Sequence, residues 1–257
     1  MPERLPPPEK GESADYRASR GSERYLIEVK DREPPDENLR ELRETQSTFI
    51  SGDLGPQDAI RADIRKASSQ LSASASAEPA ESKPFRVIAL FASVHHGGMS
   101  FAQFRPTFYG SASFKYPGST EYLVREIECL YFSFNPAFDL PDVDALLIGN
   151  PALSFRLCLN EFSHRILDFK TTHLYREFKR TGRLFDPVEE VKDGRALTAF
   201  NAPREFRKDE AKMAAWVKDE YRGRFGEKLT LMNWTVATGV ATVLDRSSTT
   251  ARGGGDN

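Results

Sequence analysis

The feature that most constrains the fold is a continuous apolar run of strand length, Phe85–Val94. A run without polar alternation is typical of a buried strand in a parallel pair. It follows a helix predicted from Pro56 to Leu71, whose apolar stripe consists of Ile60, Ile64, Ala67 and Leu71. Another strand-like run, Arg24–Asp31, precedes that helix. The order strand, helix, strand predicts a right-handed crossover unit.

The first of these strands carries a carboxylate and an ammonium two positions apart. Because side chains alternate between the faces of a strand, Glu28 and Lys30 share one face. A hairpin turn centred on Arg20-Gly21 would pair Asp15 with Leu26 and place Asp15 on that same face. The Cβ atoms of Asp15 and Glu28 would then lie roughly 7–8 Å apart. A three-residue loop without a bulge would instead turn Asp15 to the apolar face.

The pattern Asp15…Glu28-x-Lys30 resembles the PD-(D/E)XK nuclease superfamily, with Ala14 at the position usually held by proline. The resemblance implies that Asp15 and Glu28 bind Mg²⁺, with Mn²⁺ as an alternative, and that Lys30 positions or activates the attacking water. Mg²⁺ prefers carboxylate oxygens, and a bound divalent ion stabilises charge on a scissile phosphate. The competing interpretation is a Glu-x-Lys pair that keeps a solvated strand face soluble.

The same resemblance implies an α/β fold, a restriction endonuclease-like mixed β-sheet flanked by helices. It covers residues 13–93, and we expect one nuclease-like domain over 13–245 that ends in an α+β C-terminal extension. Residues 1–12, with Pro6-Pro7-Pro8, and residues 246–257 are expected to be disordered tails. The family usually has a helix and a strand before the Asp-bearing strand, for which residues 1–12 leave no room.

The other segments are predicted from periodicity and turn residues. We expect Ser72–Pro84 and Gly110–Gly118 to be loops, and Val124–Phe134, Asp144–Gly149 and Leu153–Leu159 to be strands that extend the sheet antiparallel. Further predictions are helices at Glu37–Gln46, Phe101–Tyr109 and Lys208–Tyr221 and a strand at Leu229–Thr238. The carboxylates of Pro141-Asp142-Val143-Asp144 are expected to close a turn, and His95-His96 lacks a third metal ligand at recognisable spacing and is read as a loop.

Two basic stretches are candidates for nucleic-acid binding. Arg61 and Arg65 lie on a polar stripe of the helix at Pro56–Leu71. Farther on, Lys179, Arg180 and Arg183 stand among aromatic residues, a combination that suits phosphates and stacked bases. For the second stretch, the favoured alternative is an amphipathic helix whose aromatic side chains pack inward while its charges are solvated.

The composition is that of a water-soluble chain. The 257 residues have a formal net charge of −2, and no apolar run approaches the roughly 20 residues of a membrane span. The N-terminus has no apolar core of a secretory signal, so we expect no membrane partner and a cytoplasmic location. Cys129 and Cys158 lie in apolar runs and are expected to be buried, reduced thiols.

These observations lead to one principal expectation and two alternatives. The principal expectation is a Mg²⁺-dependent nuclease that hydrolyses DNA phosphodiester bonds through Asp15, Glu28 and Lys30. The alternatives are a catalytically inactive module of the same fold that binds nucleic acid or a protein, and a scaffold that binds only proteins. The residues do not separate DNA from RNA or endonucleolytic from exonucleolytic cleavage, and they leave the oligomeric state open.

Overall fold

The computed structural model describes residues 3–5, 13–32, 47–53, 55–79, 81–92, 97–118, 124–150, 154–232 and 236–242. The strands are β1 Glu3–Arg4, β2 Tyr16–Arg20, β3 Glu23–Arg32, β4 Ser47–Asp53, β5 Phe85–Ala92, β6 Ala112–Pro117, β7 Val124–Leu130, β8 Ala145–Asn150, β9 Ser154–Leu159, β10 Leu184–Phe185, β11 Ala196–Thr198, β12 Thr230–Leu231 and β13 Val236–Thr242. The helices are α1 Asp58–Ser76, α2 Gly97–Tyr109, α3 Pro136–Asp139, α4 Ile166–Phe169, α5 His173–Arg180, α6 Pro187–Lys192, α7 Glu210–Glu220 and α8 Arg222–Phe225, with 3₁₀ helices at Arg204–Lys208 and Gly226–Lys228.

The fold is mixed α/β, with two mixed sheets flanked by helices. The larger sheet has seven strands in the order β1-β2-β3-β5-β8-β9-β10. β3, β5 and β8 are parallel to one another, which confirms the crossover predicted for the helix between β3 and β5. The prediction that the strand at Asp144–Gly149 extends the sheet antiparallel was wrong, because β8 is parallel to β5. β2 is antiparallel to β3, and β9 is antiparallel to β8. The apolar run at β5 thus occupies the middle of the sheet, where both faces are covered.

Helices pack on both faces of this sheet because its central strands are apolar on both sides. On one face, Leu26 and Ile88 pack with Ile60 and Ile64 of α1. The other face carries Tyr25 and Val87, which pack with Phe169 and Tyr175 of α4 and α5. Burying one such large side chain contributes roughly 1.5–3 kcal/mol. The alternation along β3 therefore places Leu26, Glu28 and Lys30 beneath α1.

The smaller mixed sheet has four strands in the order β11-β7-β6-β12. Here two predictions were wrong. The strand beginning at Val124 belongs to this second sheet and does not extend the first, and Gly110–Gly118, predicted as a loop, contains β6, which pairs antiparallel with β7. The physical reason is that Phe114 and Ile127 are buried against α7 through Met213 and Val217, a core that the local pattern does not reveal. β4 and β13 form a separate antiparallel pair.

Two other segments differ from their predictions, and three lie outside the described residues. α1 continues to Ser76, into the stretch predicted as a loop, because alanine and serine permit the helix to continue where no glycine or proline ends it. Within the stretch expected to be disordered, Glu3–Arg4 pairs antiparallel with β2 and supplies a strand before the Asp15 hairpin. The helix predicted at Glu37–Gln46, the residues His95-His96 and the tail 246–257 lie outside the described residues.

The remaining predictions concern thiols and membranes. Cys129 and Cys158 are both free and buried, as predicted, and burial raises the pKa of each thiol. In the described part of the chain, no helix combines the length and the apolar character needed to cross a membrane.

Candidate active site

A tight hairpin brings Asp15 beside Glu28. β2 and β3 pair from Arg20↔Glu23 to Tyr16↔Ile27, which leaves Gly21 and Ser22 as the turn. Gly21 has φ of +60°, a conformation that glycine adopts without steric cost. One step beyond Tyr16↔Ile27, this register places Asp15 opposite Glu28.

The register differs from the predicted one by two residues. The predicted turn at Arg20-Gly21 paired Asp15 with Leu26, whereas Leu26 pairs with Arg17. Because the shift is even, Asp15 keeps the predicted face, and it becomes the direct instead of the diagonal neighbour of Glu28. Its Oδ2 accepts a hydrogen bond from the Val29 backbone N–H at 2.9 Å, which holds the carboxylate against β3.

Glu28 is a buried acid, and one of its two carboxylate oxygens accepts no hydrogen bond from the described residues. Only 1% of the residue is exposed. Its Oε1 accepts a hydrogen bond from Lys30 Nζ at 2.6 Å, while its buried Oε2 has no hydrogen-bond partner among the described residues. Burial raises the pKa of the Glu28 carboxyl, the Lys30 ammonium offsets part of that rise, the charge of Asp15 adds to it, and the Asp15 backbone N–H lowers it slightly. A buried carboxylate oxygen without a partner raises the free energy of the folded state. Binding of a proton, a water or a cation at that oxygen would lower it.

Lys30 is held from two sides. Its Nζ lies 2.6 Å from Glu28 Oε1 and 2.6 Å from Gln70 Oε1 of α1. The Lys30 side chain remains 18% exposed, so the ammonium lies between the buried acid and solvent. The sequence analysis assigned no role to Gln70. Its position next to Leu71, at the margin of the apolar stripe of α1, is the signal that could have identified it.

The C-terminal half of α1 also fixes the end of the hairpin. The Ala14 backbone N–H donates to Ser74 Oγ at 2.7 Å, and Gln70 Nε2 lies 3.5 Å from the Ser13 carbonyl oxygen. Arg17 forms an ion pair with Glu78 just beyond the helix. Two contacts from α1 and one from the residue Glu78 just beyond it thus set the position of Asp15 and of the strand that follows it.

The acids are suited to a hard divalent cation. Mg²⁺ is commonly bound by one or two carboxylates and keeps several waters or substrate oxygens, so Asp15 and Glu28 fit in type and in number. Such an ion would coordinate the buried Oε2 of Glu28, whose lone pairs accept no hydrogen bond from the described residues. A larger cluster of three or more His, Cys, Asp or Glu side chains is absent from the described residues.

The basic residues of α1 point away from this site. Arg61 Nη1 pairs with Asp58 at 2.8 Å, and Arg65 Nη2 lies 3.6 Å from Asp139 of α3. At about 3.6 residues per turn, both arginines lie on the flank of α1 opposite Gln70. Nothing in these contacts joins them to Lys30.

The second basic group lies on the other face of the sheet. α5 packs through Tyr175 and ends in Lys179 and Arg180. Lys179 Nζ lies 5.6 Å from the centroid of the Tyr175 ring, Arg180 pairs with Glu177, and Arg183 follows in the exposed turn after the helix. These contacts match the amphipathic helix that was the favoured alternative. The sheet itself separates Lys179, Arg180 and Arg183 from Glu28.

The structure therefore brings together Asp15, Glu28 and Lys30 and adds Gln70, while the predicted basic residues lie elsewhere. Comparison of the chain with protein-family models, with curated proteins and with solved structures gave no match in any of the three.

Proposed function

We propose that the protein is a Mg²⁺-dependent nuclease that hydrolyses DNA phosphodiester bonds, with Asp15 and Glu28 as metal ligands and Lys30 beside the attacking water. One observation carries the proposal. Glu28 shares one oxygen with Lys30 and keeps the other buried, with no hydrogen-bond partner in the described part of the chain, next to Asp15 at the start of the adjoining strand. An ion pair built only for stability would be expected to use both oxygens.

The contacts suggest a separate role for the metal and for each residue of the site. Bound Mg²⁺ would supply charge stabilisation at the phosphate and a more acidic water. The Val29 N–H holds the Asp15 carboxylate, while burial keeps Glu28 away from competing solvent. Gln70 fixes the Lys30 ammonium, whose donors can orient a water or meet charge that develops on the phosphate.

The order of elements supports a restriction endonuclease-like fold as part of the same proposal. An antiparallel hairpin carries the two acids, a helix covers them, and the chain returns in a strand parallel to β3. β1 lies beside β2 and provides a strand before the hairpin. The proposal assigns no role in bond cleavage to the five basic residues on the far flank of α1 and on the opposite face of the sheet.

A second candidate function is a nucleic-acid-binding module that no longer cleaves. The observation that favours it is the closure of the site: Glu28 is almost wholly buried, and the Lys30 ammonium is already held by two side-chain oxygens. This candidate predicts retention of DNA without metal-dependent cleavage.

The test is cleavage of plasmid and of short duplex and single-stranded DNA by the purified full chain with Mg²⁺, Mn²⁺ or EDTA. We expect cleavage with either metal and none in EDTA. Lys30→Ala should lower the rate on the order of 10²-fold or more, as loss of one preorganised charge-stabilising donor does elsewhere.

Lys192→Ala is the matched control, because it removes an exposed lysine from α6 without touching β3 or α1. Thermal melts of both variants separate loss of chemistry from loss of fold. If wild-type protein binds DNA and leaves it intact with both metals, the non-cleaving module replaces the nuclease. Equal cleavage by wild type and by folded Lys30→Ala would assign the activity to another site.

A further inference from the structure

A second surface, far from the acidic pair in sequence, combines aromatic rings with cations. We call it the aromatic–basic surface and define it by Phe138, Phe162, Phe200, Arg207 and Lys208. The Phe200 ring is stacked at 5.6 Å and 26° on Phe162 and at 6.3 Å and 29° on Phe138. Phe200 is nonetheless 50% exposed. One side of this stack of rings is therefore open to solvent.

The backbone beneath Phe200 is held in place by Arg207. The guanidinium donates to the Ala199 carbonyl at 2.8 Å, to the Phe200 carbonyl at 3.0 Å and to the Tyr131 carbonyl. It also lies 5.1 Å from the centroid of the Phe138 ring. A large apolar ring that is both exposed and rigidly held is prepared for contact, because little conformational freedom is lost when a partner covers it.

A cavity of about 500 Å³ borders this surface. The charged side chains described along its wall are Arg61, Arg207, Lys208 and a single acid, Glu210. Arg61 pairs with Asp58 through Nη1, but its buried Nε has no hydrogen-bond partner in the described part of the chain. The described wall of the cavity thus carries more basic than acidic side chains, and one of them, Arg61, has a buried Nε without a hydrogen-bond partner among the described residues.

We infer that the aromatic–basic surface binds single-stranded nucleic acid, with a base stacked on Phe200 and the adjoining phosphates near Lys208 and the cavity wall. Aromatic platforms beside cations bind unpaired strands in this way, because each base offers a π-face and each nucleotide a negative charge. In a duplex the base faces are stacked on neighbouring bases, so they are not accessible to Phe200. The inference rests on the proposed nuclease function. It restricts the substrates of that nuclease to nucleic acids with an unpaired strand.

The first measurement is fluorescence anisotropy of labelled oligothymidylate, oligouridylate and a duplex of equal length, in EDTA so that no cleavage occurs. We expect both single strands to bind more tightly than the duplex, and the two arms separate DNA from RNA as the source of the strand. Phe200→Leu should weaken binding about fivefold or more, since one base–aromatic stack is worth at least about 1 kcal/mol.

Two matched variants make this result specific. Phe200→Trp retains a stacking ring and should bind like wild type. Leu167→Ala removes another exposed apolar side chain, one that is 79% exposed on α4, and should have no effect. Wild-type affinity in Phe200→Leu would overturn the inference, as would duplex binding equal to that of the single strands.

The salt dependence tests the cationic half of the surface. Lys208→Ala should reduce the slope of log K against log salt by about 0.7, the value for one phosphate contact on a single strand. Lys192→Ala, which also removes an exposed lysine, should leave the slope unchanged, and so should Phe200→Leu. If polyglutamate binds as tightly as the single strands, the surface is a general anion site and the inference is wrong.

Failure of this inference and failure of the proposed function give different results. Strands that bind in a Phe200-dependent way and are not cut with Mg²⁺ would refute the nuclease and leave the binding surface. Metal-dependent cleavage with unchanged binding and unchanged KM in Phe200→Leu would refute the surface and leave the nuclease.

Discussion

Glu28 and Asp144 are two buried carboxylates near strands of the same sheet, and they differ in what their oxygens contact. Asp144, which is 2% exposed, accepts from the Arg86 backbone N–H at 2.8 Å through Oδ2 and from Ser163 Oγ at 2.6 Å through Oδ1. Glu28, which is 1% exposed, accepts a hydrogen bond from the described residues through Oε1 only. Asp144 joins β5 to the turn before α4, whereas Glu28 retains an unused oxygen.

Burial alone does not distinguish these two acids. Burial is the largest cause of a raised pKa for both carboxyls, and cations or donors offset part of the rise in each. The difference lies in the hydrogen bonds: both oxygens of Asp144 accept one, whereas Glu28 Oε2 accepts none from the described residues. An unpartnered oxygen is therefore a better guide to a binding site than burial or a shifted pKa.

The largest expected difference between the two acids is in cleavage. Glu28→Gln should lower the Mg²⁺-dependent rate on the order of 10²-fold or more, because an amide is a poor ligand for a hard cation in place of a carboxylate. Asp144→Asn should stay within about twofold of wild type once folded, since its oxygens serve the fold. Initial rates on plasmid under saturating Mg²⁺ measure both, and equal losses would erase the distinction.

For stability we expect the opposite ranking of the two variants, with the larger effect in Asp144→Asn. Asp144→Asn leaves one of two buried donors without an acceptor, so we expect a loss of about 1–2 kcal/mol in the free energy of unfolding. Glu28→Gln removes a desolvated charge and keeps an oxygen for Lys30, whose ammonium is also held by Gln70 and partly exposed, so we expect a smaller loss of stability than in Asp144→Asn. Urea denaturation of the two variants gives the comparison. A larger loss in Glu28→Gln would identify Glu28 as the structural acid.

Of the two buried acids compared, only Glu28 should couple the stability of the protein to Mg²⁺. At a Mg²⁺ concentration about ten times its Kd, binding to the folded state adds about 1.4 kcal/mol. The resulting rise in Tm should be about 2–6 °C for a chain of this size, should vanish in Glu28→Gln, and should persist in Asp144→Asn. Thermal melts with and without Mg²⁺ measure it, and an equal rise in all three proteins would locate the ion elsewhere.

The smallest expected effect is in the pH dependence of stability. A carboxyl whose pKa is raised by folding binds its proton more tightly in the folded state, so its contribution to stability falls as pH rises from the usual carboxyl pKa through the raised one. Wild type should therefore lose more stability than Glu28→Gln across that window. Over the same window Mg²⁺ should bind more tightly as pH rises, since it competes with the proton. Parallel unfolding curves at several pH values test both slopes.

Much of the larger sheet could be predicted from local pattern. The continuous apolar run at β5 and the stripe on α1 are properties of neighbouring residues, and both occupy the predicted places. The second sheet could not be predicted so well. β6 and β7 carry few consecutive apolar residues, and their burial depends on α7, which lies about a hundred positions later in the chain. Local periodicity carries no information about such a partner.

The candidate site divides in the same way. Alternation along one strand is a property of the backbone, and so the sequence alone determined that Glu28 and Lys30 share a face. The face of Asp15 depended on the length of the turn, and it stayed as predicted because the observed shift in register is even. The actual pairing of Asp15 with Glu28 required the position of the turn, which follows from the φ of Gly21 in the folded chain.

Only the tertiary structure brought Gln70 to Lys30, and only the tertiary structure assembled the aromatic–basic surface. Gln70 is forty residues from its partner, and Phe138, Phe162 and Phe200 come from three separate segments. Contacts of this kind depend on how helices and loops pack over a sheet, a choice made by the whole core and not by any short stretch of residues. The sequence by itself therefore determined which side chains could act together within one hairpin, and packing decided which distant ones do.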